Sequence, residues 1–507
     1  MLAHRNPEFF ETRSIGKLLM QFSIPAIVAT LVSSTYNLVA RVFVAKRFGT
    51  DGVAAVTVSY PVIVIFLAVA MTIGVGSTIL VSIHLGERDN DKAEETIGHA
   101  LFLAVVSAAI FIFFGQIYLE PILRFVGASE KIMPLAKSYL SIVIWGVLFQ
   151  HIAYGVNNFI RVEGHPRMAM ISMFISALAN GILDYVFLFV FRTGIWGAGL
   201  AHLIAAAIAA AWVSGLYLTN QTVLKWRLKY FRFNWSLTKK IAICGAVPFV
   251  TQACSAILQT ISNNLMGHYG TLYGQKMGYS FDGGDLAIGI MGAAIAIANM
   301  FLMPFFGLGQ GVQSIVGYNT GAKRPDRVLQ TIQSALKISV YSSLIIWAFI
   351  MIKPEWLMNF FLKADEIGFA EKQALGNFAI RCIMLVFPLV GVNMLASGYF
   401  QAQGQPILAV MMTLLRQLVF LLPIMLFATW FLQLYCQKGL NGVWFSFPIA
   451  DVLSWGVAVI FLAVDFKHKR KLIAAMPPRN AGDEAAESAQ SVKSAERAEP
   501  QTKPETT

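Results

Sequence analysis

The sequence predicts an all-α membrane protein with twelve transmembrane helices in two homologous six-helix lobes. Of its 507 residues 57% are apolar and only 13% charged. Mean hydropathy is +0.63, which excludes a soluble globular chain. Apolar stretches of about 20 residues, enough to cross a hydrocarbon core of about 30 Å, recur along the chain. The chain is also written twice. Gly74-Val-Gly76 and HLGERDNDKA (84–93) return as Gly309-Gln-Gly311 and NTGAKRPDRV (319–328), an offset of 235. RVEGHPRMAM (161–170) returns as QAQGQPILAV (401–410) at 240, and GIWGAG (194–199) as GLNGVW (439–444) at 245. A repeat with slowly growing offset marks duplicated architecture with lengthening loops. Duplicated membrane halves are the pattern of secondary transporters, with the site between them.

Taken in order, the spans of the N-lobe (17–218) are 18–45, 53–84, 97–119, 138–160, 168–191 and 195–218. Residues 1–16 precede them as a polar segment. The first apolar run is too long for the core of a cleavable signal, so the first helix itself directs insertion. The C-lobe (241–466) repeats the series at 241–266, 286–317, 333–352, 375–400, 407–431 and 440–466, with a polar stretch, 268–285, expected as a loop. Pro25, Pro61, Pro248, Pro304, Pro388 and Pro423 fall inside spans, where bends are expected.

With the N-terminus inside, inner segments carry 20 Lys and Arg against 11 outside, which predicts both termini in the cytoplasm. The basic linker 219–240 contributes Lys225, Arg227, Lys229, Arg232, Lys239 and Lys240. It reads as a topogenic, anionic-lipid-facing segment. The net charge of +12 thus reports orientation and not a nucleic-acid partner. Residues 467–507 open with KHKRK, then become rich in Ala, Glu, Ser, Lys and Pro. They are expected as a disordered cytoplasmic tail. Cys244, Cys254, Cys382 and Cys436 are scattered, with neither a disulfide framework nor metal-ligand spacing. No HExxH and no Walker sequence occurs, and Gly283-Gly284-Asp285 lacks a second aspartate motif. No selectivity filter stands out. Secondary transport, not enzymatic chemistry, is what remains.

SIPAIVATLVSSTYNLV with FVAKRFGTDGVAAV, the duplicated glycine motifs, RVEGHPRMAM and GLNGVWFSFPIAD occur in this order over residues 14–466. Together they resemble the multidrug and toxic compound extrusion (MATE) transporters. The resemblance implies two six-helix lobes about a two-fold axis along the membrane normal, with a cleft that opens alternately to either side. It further implies export of amphipathic, often cationic organic compounds against inward H⁺ or Na⁺, from a bacterial inner membrane, by a monomer without a cofactor. A flippase of lipid-linked precursors, from the same wider superfamily, is the other reading.

An ionised side chain at the bilayer centre costs roughly 2.5–3.5 kcal/mol on insertion scales, so intramembrane charges are functional candidates. Asp184 lies in the fifth span with Asn180 at i−4 on the same face. A carboxylate beside an amide oxygen suits Na⁺, and a carboxyl in an apolar lobe can carry a proton. A buried acid paired with a base or helix end is the structural alternative. The family's N-lobe cation site uses an aspartate and an asparagine at these positions. Where the branch compared carries a first-helix aspartate, this chain has Ala40, followed by Arg41. Arg41 either pairs with Asp184 or turns toward the other lobe. His202 stands where the resemblance places a small hydroxyl residue. It either relays protons with Asp184 or donates to a helix carbonyl. Tyr36, Asn37 and Asn157 match positions that line the family's N-lobe cavity.

In the C-lobe, Gln252, Gln259 and Asn263 form a polar stripe at i, i+7 and i+11, which is expected to face a cavity. Arg416 and Asp451 are the two charges deep in this lobe, and they either pair or serve transport. Twenty Met and thirty-eight Phe suit an adaptable cleft. Arg161 with Glu163, and Gln401 with Gln403, read as helix caps.

Overall fold

A computed structural model describes Phe10 and residues 13–475, apart from Ser129, 220–221, 279–282 and 360–368. Among the described residues there are ten continuous helices long and apolar enough to cross a membrane, and two more spans are bent pairs. In the N-terminal half these are α1 (Ile15–Gly49), α2 (Asp51–Gly86), α3 (Asn90–Ile117), α4 (Met133–Val162), α5 (Pro166–Val190) and α6 (Trp196–Leu218). In the C-terminal half they are α7 (Ala246–Met277), α8 (Gly283–Gly321), α9 (Pro325–Ile352), α10 (Phe387–Ala402), α11 (Pro406–Cys436) and α12 (Gly439–Ala475). Gly49, at φ 63° and ψ −152°, breaks what would otherwise be one helix into α1 and α2. Trp235–Cys244 leads into α7 at 52°, and Phe369–Ile383 leads into α10 at 44°. Both bends fall just before a proline, Pro248 and Pro388, as the rigid ring directs.

Two boundaries differ from the sequence reading. The stretch 268–285 is mostly helical, because α7 continues to Met277 and α8 begins at Gly283. The basic run 467–471 belongs to α12. There Lys469 is buried and pairs with Asp465 at 3.2 Å, and Asp465 accepts from the Tyr399 hydroxyl at 2.6 Å. Residues 476–507, expected as a disordered tail, lie outside the described residues. In the linker, Glu94 faces Arg227 at 2.6 Å and accepts from the Lys225 amide at 3.1 Å, while Trp226 stacks on Tyr217 with ring centroids 5.0 Å apart. The linker's first part is thus held against the protein, while Lys239 and Lys240 remain exposed.

The repeat persists down to single hydrogen bonds. Arg88 and Lys323, 235 positions apart, both adopt positive φ (61° and 55°) in turns closed by Asp89 N to His84 O and by Arg324 N to Asn319 O, each 2.9 Å. At the offset of 240, the Asn157 amide donates to Ala169 O at 2.8 Å, and the Ser397 hydroxyl donates to Ala409 O at 3.3 Å.

The core is divided unequally. One cluster draws on both halves at the end where the termini and linker lie, including Leu18, Phe22, Leu85, Phe159, Val312, Tyr318 and Tyr399. A second lies wholly in the C-terminal half around Met291, Ile380 and Trp444, and a third wholly in the N-terminal half around Phe66, Leu140 and Leu188. The halves therefore share a core at the terminus end and pack separately at the other, the geometry of a cleft open away from the termini. Bonds that tie the halves together include Thr30 Oγ1 to Met303 O (3.2 Å) and Ser82 Oγ to Ser314 O (3.1 Å). Glycine permits this approach. A β-carbon on Gly86 would overlap Tyr318 O, and one on Gly321 would overlap Ile83 O.

Candidate functional site

Small residues on α6 and polar ones on α4 and α5 leave a cavity of about 200 Å³ in the N-terminal half. Its apolar wall is Ala205, Ala206, Ala209 and Val213, and its polar groups include Tyr36, Asn157, Arg161, Asn180 and His202. Gln310, between the glycines of the second-half motif, reaches in from α8.

Asn180 and Asp184 are 4% and 3% exposed. In the orientation that satisfies its neighbours, the Asn180 amide nitrogen donates to Asp184 Oδ2 at 2.9 Å, and its oxygen accepts from the His202 backbone N–H at 3.2 Å. Asn180 therefore stands between the two groups expected to form a relay. His202 lines the cavity, but its link to Asp184 runs through its backbone and Asn180. Just beyond Asp184 the helix loosens into a π turn, Val186–Val190, a local form that frequently marks functional positions.

Arg41 makes no ion pair with Asp184 among the described residues. It is exposed, and its guanidinium lies 5.3 Å from the centroid of the Tyr60 ring on α2 of its own half. The pairing with Asp184 read from the sequence is thus not made, and a cation–π contact with a neighbouring helix holds the side chain instead. Among the described residues Asp184 has no basic partner, and no group of three or more His, Cys, Asp and Glu could hold a metal ion. The backbone of Asn37 is helical, and its side chain lies outside the described residues.

Asn157 is fixed by its bond to Ala169 O and a second to the Ser172 hydroxyl. Its Oδ1 accepts from Arg161 Nη2 at 3.2 Å, while Asn158 Oδ1 accepts from Nη1 at 3.0 Å. Arg161 is thus a buried cavity residue and not the simple cap expected. Its neighbour Glu163, just past the end of α4, is fully buried and accepts from the Tyr217 hydroxyl and from the Val223 N–H at 2.8 Å and Leu224 N–H at 3.3 Å. Burial pushes its carboxyl up to about 7 against the pull of these donors.

In the C-terminal half, Arg416 and Asp451 pair at 2.7 Å, with side-chain exposures of 32% and 6%. Arg416 sits in a second π turn, Leu415–Leu421. Gln259 donates to Asn263 Oδ1 at 2.8 Å, so two members of the stripe satisfy each other on an exposed face, and Gln252 is half-buried.

The MatE family profile matches residues 25–186 and 248–427, one segment in each half. The chain belongs to the MatE family. It is a multi-pass membrane transporter and not an enzyme. The multidrug export protein MepA of Staphylococcus aureus (strain MRSA252) is 24% identical over 449 residues, spanning 88% of this chain and 93% of that protein. Among solved structures, the MATE multidrug transporter DinF-BH is 31% identical with a TM-score of 0.79, covering 92% of this chain and 98% of that one. A MATE transporter in an outward-facing conformation has the same fold at 21% identity and a TM-score of 0.81, covering 92% and 99%.

Both MatE segments begin at prolines of the sequence repeat, Pro25 and Pro248. Gln310 escaped the sequence reading, and Glu163 was read only as a cap. The glycines flanking Gln310 were visible, but nothing local says that the residue between them enters the opposite half's cavity.

Proposed function

We propose that this MatE transporter exports amphipathic organic compounds, cationic ones among them, by antiport with H⁺ or Na⁺, its two halves rocking between outward- and inward-open states. The observation that carries the proposal is Asp184. It is a carboxyl within a membrane span, 3% exposed, without a basic partner among the described residues and hydrogen-bonded to a cavity residue. Such a group is costly unless it takes up a cation in the course of function.

The proton fits this arrangement better than Na⁺. A proton needs no ligand beyond the buried carboxyl itself, whereas a sodium ion would want the Asn180 oxygen turned to Asp184, at the loss of the bond to His202 N. Loading Asp184 and loading the cavity then favour different states of one two-state bundle. One charge moving inward supplies about 2.3 kcal/mol per 100 mV, enough for a neutral-compound gradient of roughly 40-fold. The Lys and Arg distribution supports cytoplasmic termini, and the family resemblance a bacterial inner membrane, so that the cleft described above opens outward. The names of the matched relatives, export proteins and multidrug transporters, do not favour the flippase reading.

The test is efflux of ethidium from proteoliposomes under an imposed H⁺ gradient, an imposed Na⁺ gradient, or neither. Efflux that follows the H⁺ gradient supports the proposal, and efflux that follows Na⁺ corrects its ion. Gradient-independent behaviour in well-inserted protein overturns it.

A further inference from the structure

We infer that Arg161 is a binding site for the carboxylate of an amphipathic, carboxylate-bearing substrate. Arg161 is 6% exposed and lines the N-half cavity, yet no carboxylate faces it among the described residues. Glu163, the acid nearest in sequence, has both oxygens committed to Tyr217, Val223 and Leu224. Arg161 gives two of its five N–H donors to Asn157 and Asn158, which leaves the others for a ligand. Asn157 is itself anchored on Ala169 O, so the guanidinium is held in place before any ligand arrives.

One further group in the same wall lacks a partner among the described residues: Gln310 Oε1, from the other half, is buried with no donor, while Asn158 faces the Tyr154 hydroxyl. A buried charge is normally matched by an opposite charge. Here no matching group stands among the described residues, and the donors left over are those that grip a carboxylate, ideally two at a time. The unpaired Gln310 oxygen suits an N–H or O–H elsewhere on the same compound, and the Ala205–Ala209 wall suits its apolar body.

The inference rests on the proposed transport function only in calling the occupant a substrate. Binding is therefore read without transport, on purified full-length protein, with dansylglycine and its methyl ester, which differ in the free carboxylate. By dansyl fluorescence at pH 7.5, wild type is expected to bind the acid about tenfold tighter than the ester. Arg161→Gln should bring that ratio near one, and Arg161→Lys should leave it intermediate. Equal affinities in wild type, binding of neither probe, or a preference that survives Arg161→Gln overturns the inference. If Arg161→Gln is not monodisperse, the wild-type ratio and the Lys variant decide. A third arm adds phosphatidylglycerol or phosphatidylcholine micelles. Selective loss of acid binding with phosphatidylglycerol assigns the site to a lipid headgroup and overturns its role for substrate. Failure of any of these arms leaves gradient-driven ethidium efflux untouched, so the two readings fall separately.

Discussion

Gly86 and Gly321 are reciprocal contacts: each packs against a carbonyl of the other half, Gly86 on Tyr318 and Gly321 on Ile83. The two pairs are related by the offset of 235 that separates the sequence repeats. Backbone meets backbone here, so an added side chain has nowhere to turn.

Gly321→Val should loosen this end of the bundle. Overpacking of this kind costs about 1–3 kcal/mol, which shifts a two-state equilibrium by roughly 5- to 150-fold. Ser314, buried and accepting from Ser82 beside this contact, is the reporter. With the four natural cysteines replaced, Ser314→Cys should label faster with an impermeant maleimide from the terminus side when Gly321→Val is also present. Unchanged labelling would remove this contact from the closure of the bundle.

Glu163 predicts a pH dependence. A carboxyl held at about 7 retains a proton in the folded chain that the unfolded chain, near 4.5, has already released. Its contribution is therefore fullest at low pH and declines as pH rises from about 4.5 toward about 7, by a few kcal/mol. Glu163→Gln should flatten that part of the curve of Tm against pH. The same slope in variant and wild type would show that Glu163 is not its source.

The linker clamp is open to proteolysis. Glu94 is 5% exposed and holds both the Lys225 amide and the Arg227 side chain; the 2.6 Å contact to Arg227 is a close ion pair and not a well-aligned hydrogen bond. Glu94→Ala should accelerate tryptic cleavage after Lys225 and Arg227 while leaving other sites unchanged. Cleavage at the wild-type rate would mean that the linker is held by Trp226 and Glu163 without it.

The Arg416–Asp451 pair makes a double-mutant prediction. Removing either partner leaves a largely buried charge alone, and replacing both removes that cost. Asp451→Leu and Arg416→Met should each lower Tm more than the double variant does, with a coupling of about 1–2 kcal/mol after allowance for the solvent that reaches Arg416. Additive losses would make the pair incidental.

What the sequence disclosed was local in origin. Apolar run length marks a span wherever it occurs, and the turns at Arg88 and Lys323 repeat because the glycine, charge and turn residues around them repeat. Asp184 beside Asn180 was legible from helical spacing alone. The direction of Arg41 was not, since Tyr60, nineteen positions on, competes for it across a helix break at Gly49 that apolarity does not reveal. Glu163 read as a cap because its partners, Tyr217, Val223 and Leu224, lie 54 to 61 positions away and leave no pattern near it. The polar stretch 268–285 was misjudged as a loop because polarity alone does not end a helix, and α7 stops only at Gly278, in the left-handed conformation at φ 69°.

The central claim is that Asp184 couples ion to substrate. The most direct measurement is ethidium movement in proteoliposomes for wild type and Asp184→Asn at matched insertion, read both as efflux driven by an H⁺ gradient and as exchange at equilibrium without one. Gradient-driven efflux should vanish in Asp184→Asn while substrate exchange persists. Gradient-driven efflux at the wild-type rate in that variant would contradict the account.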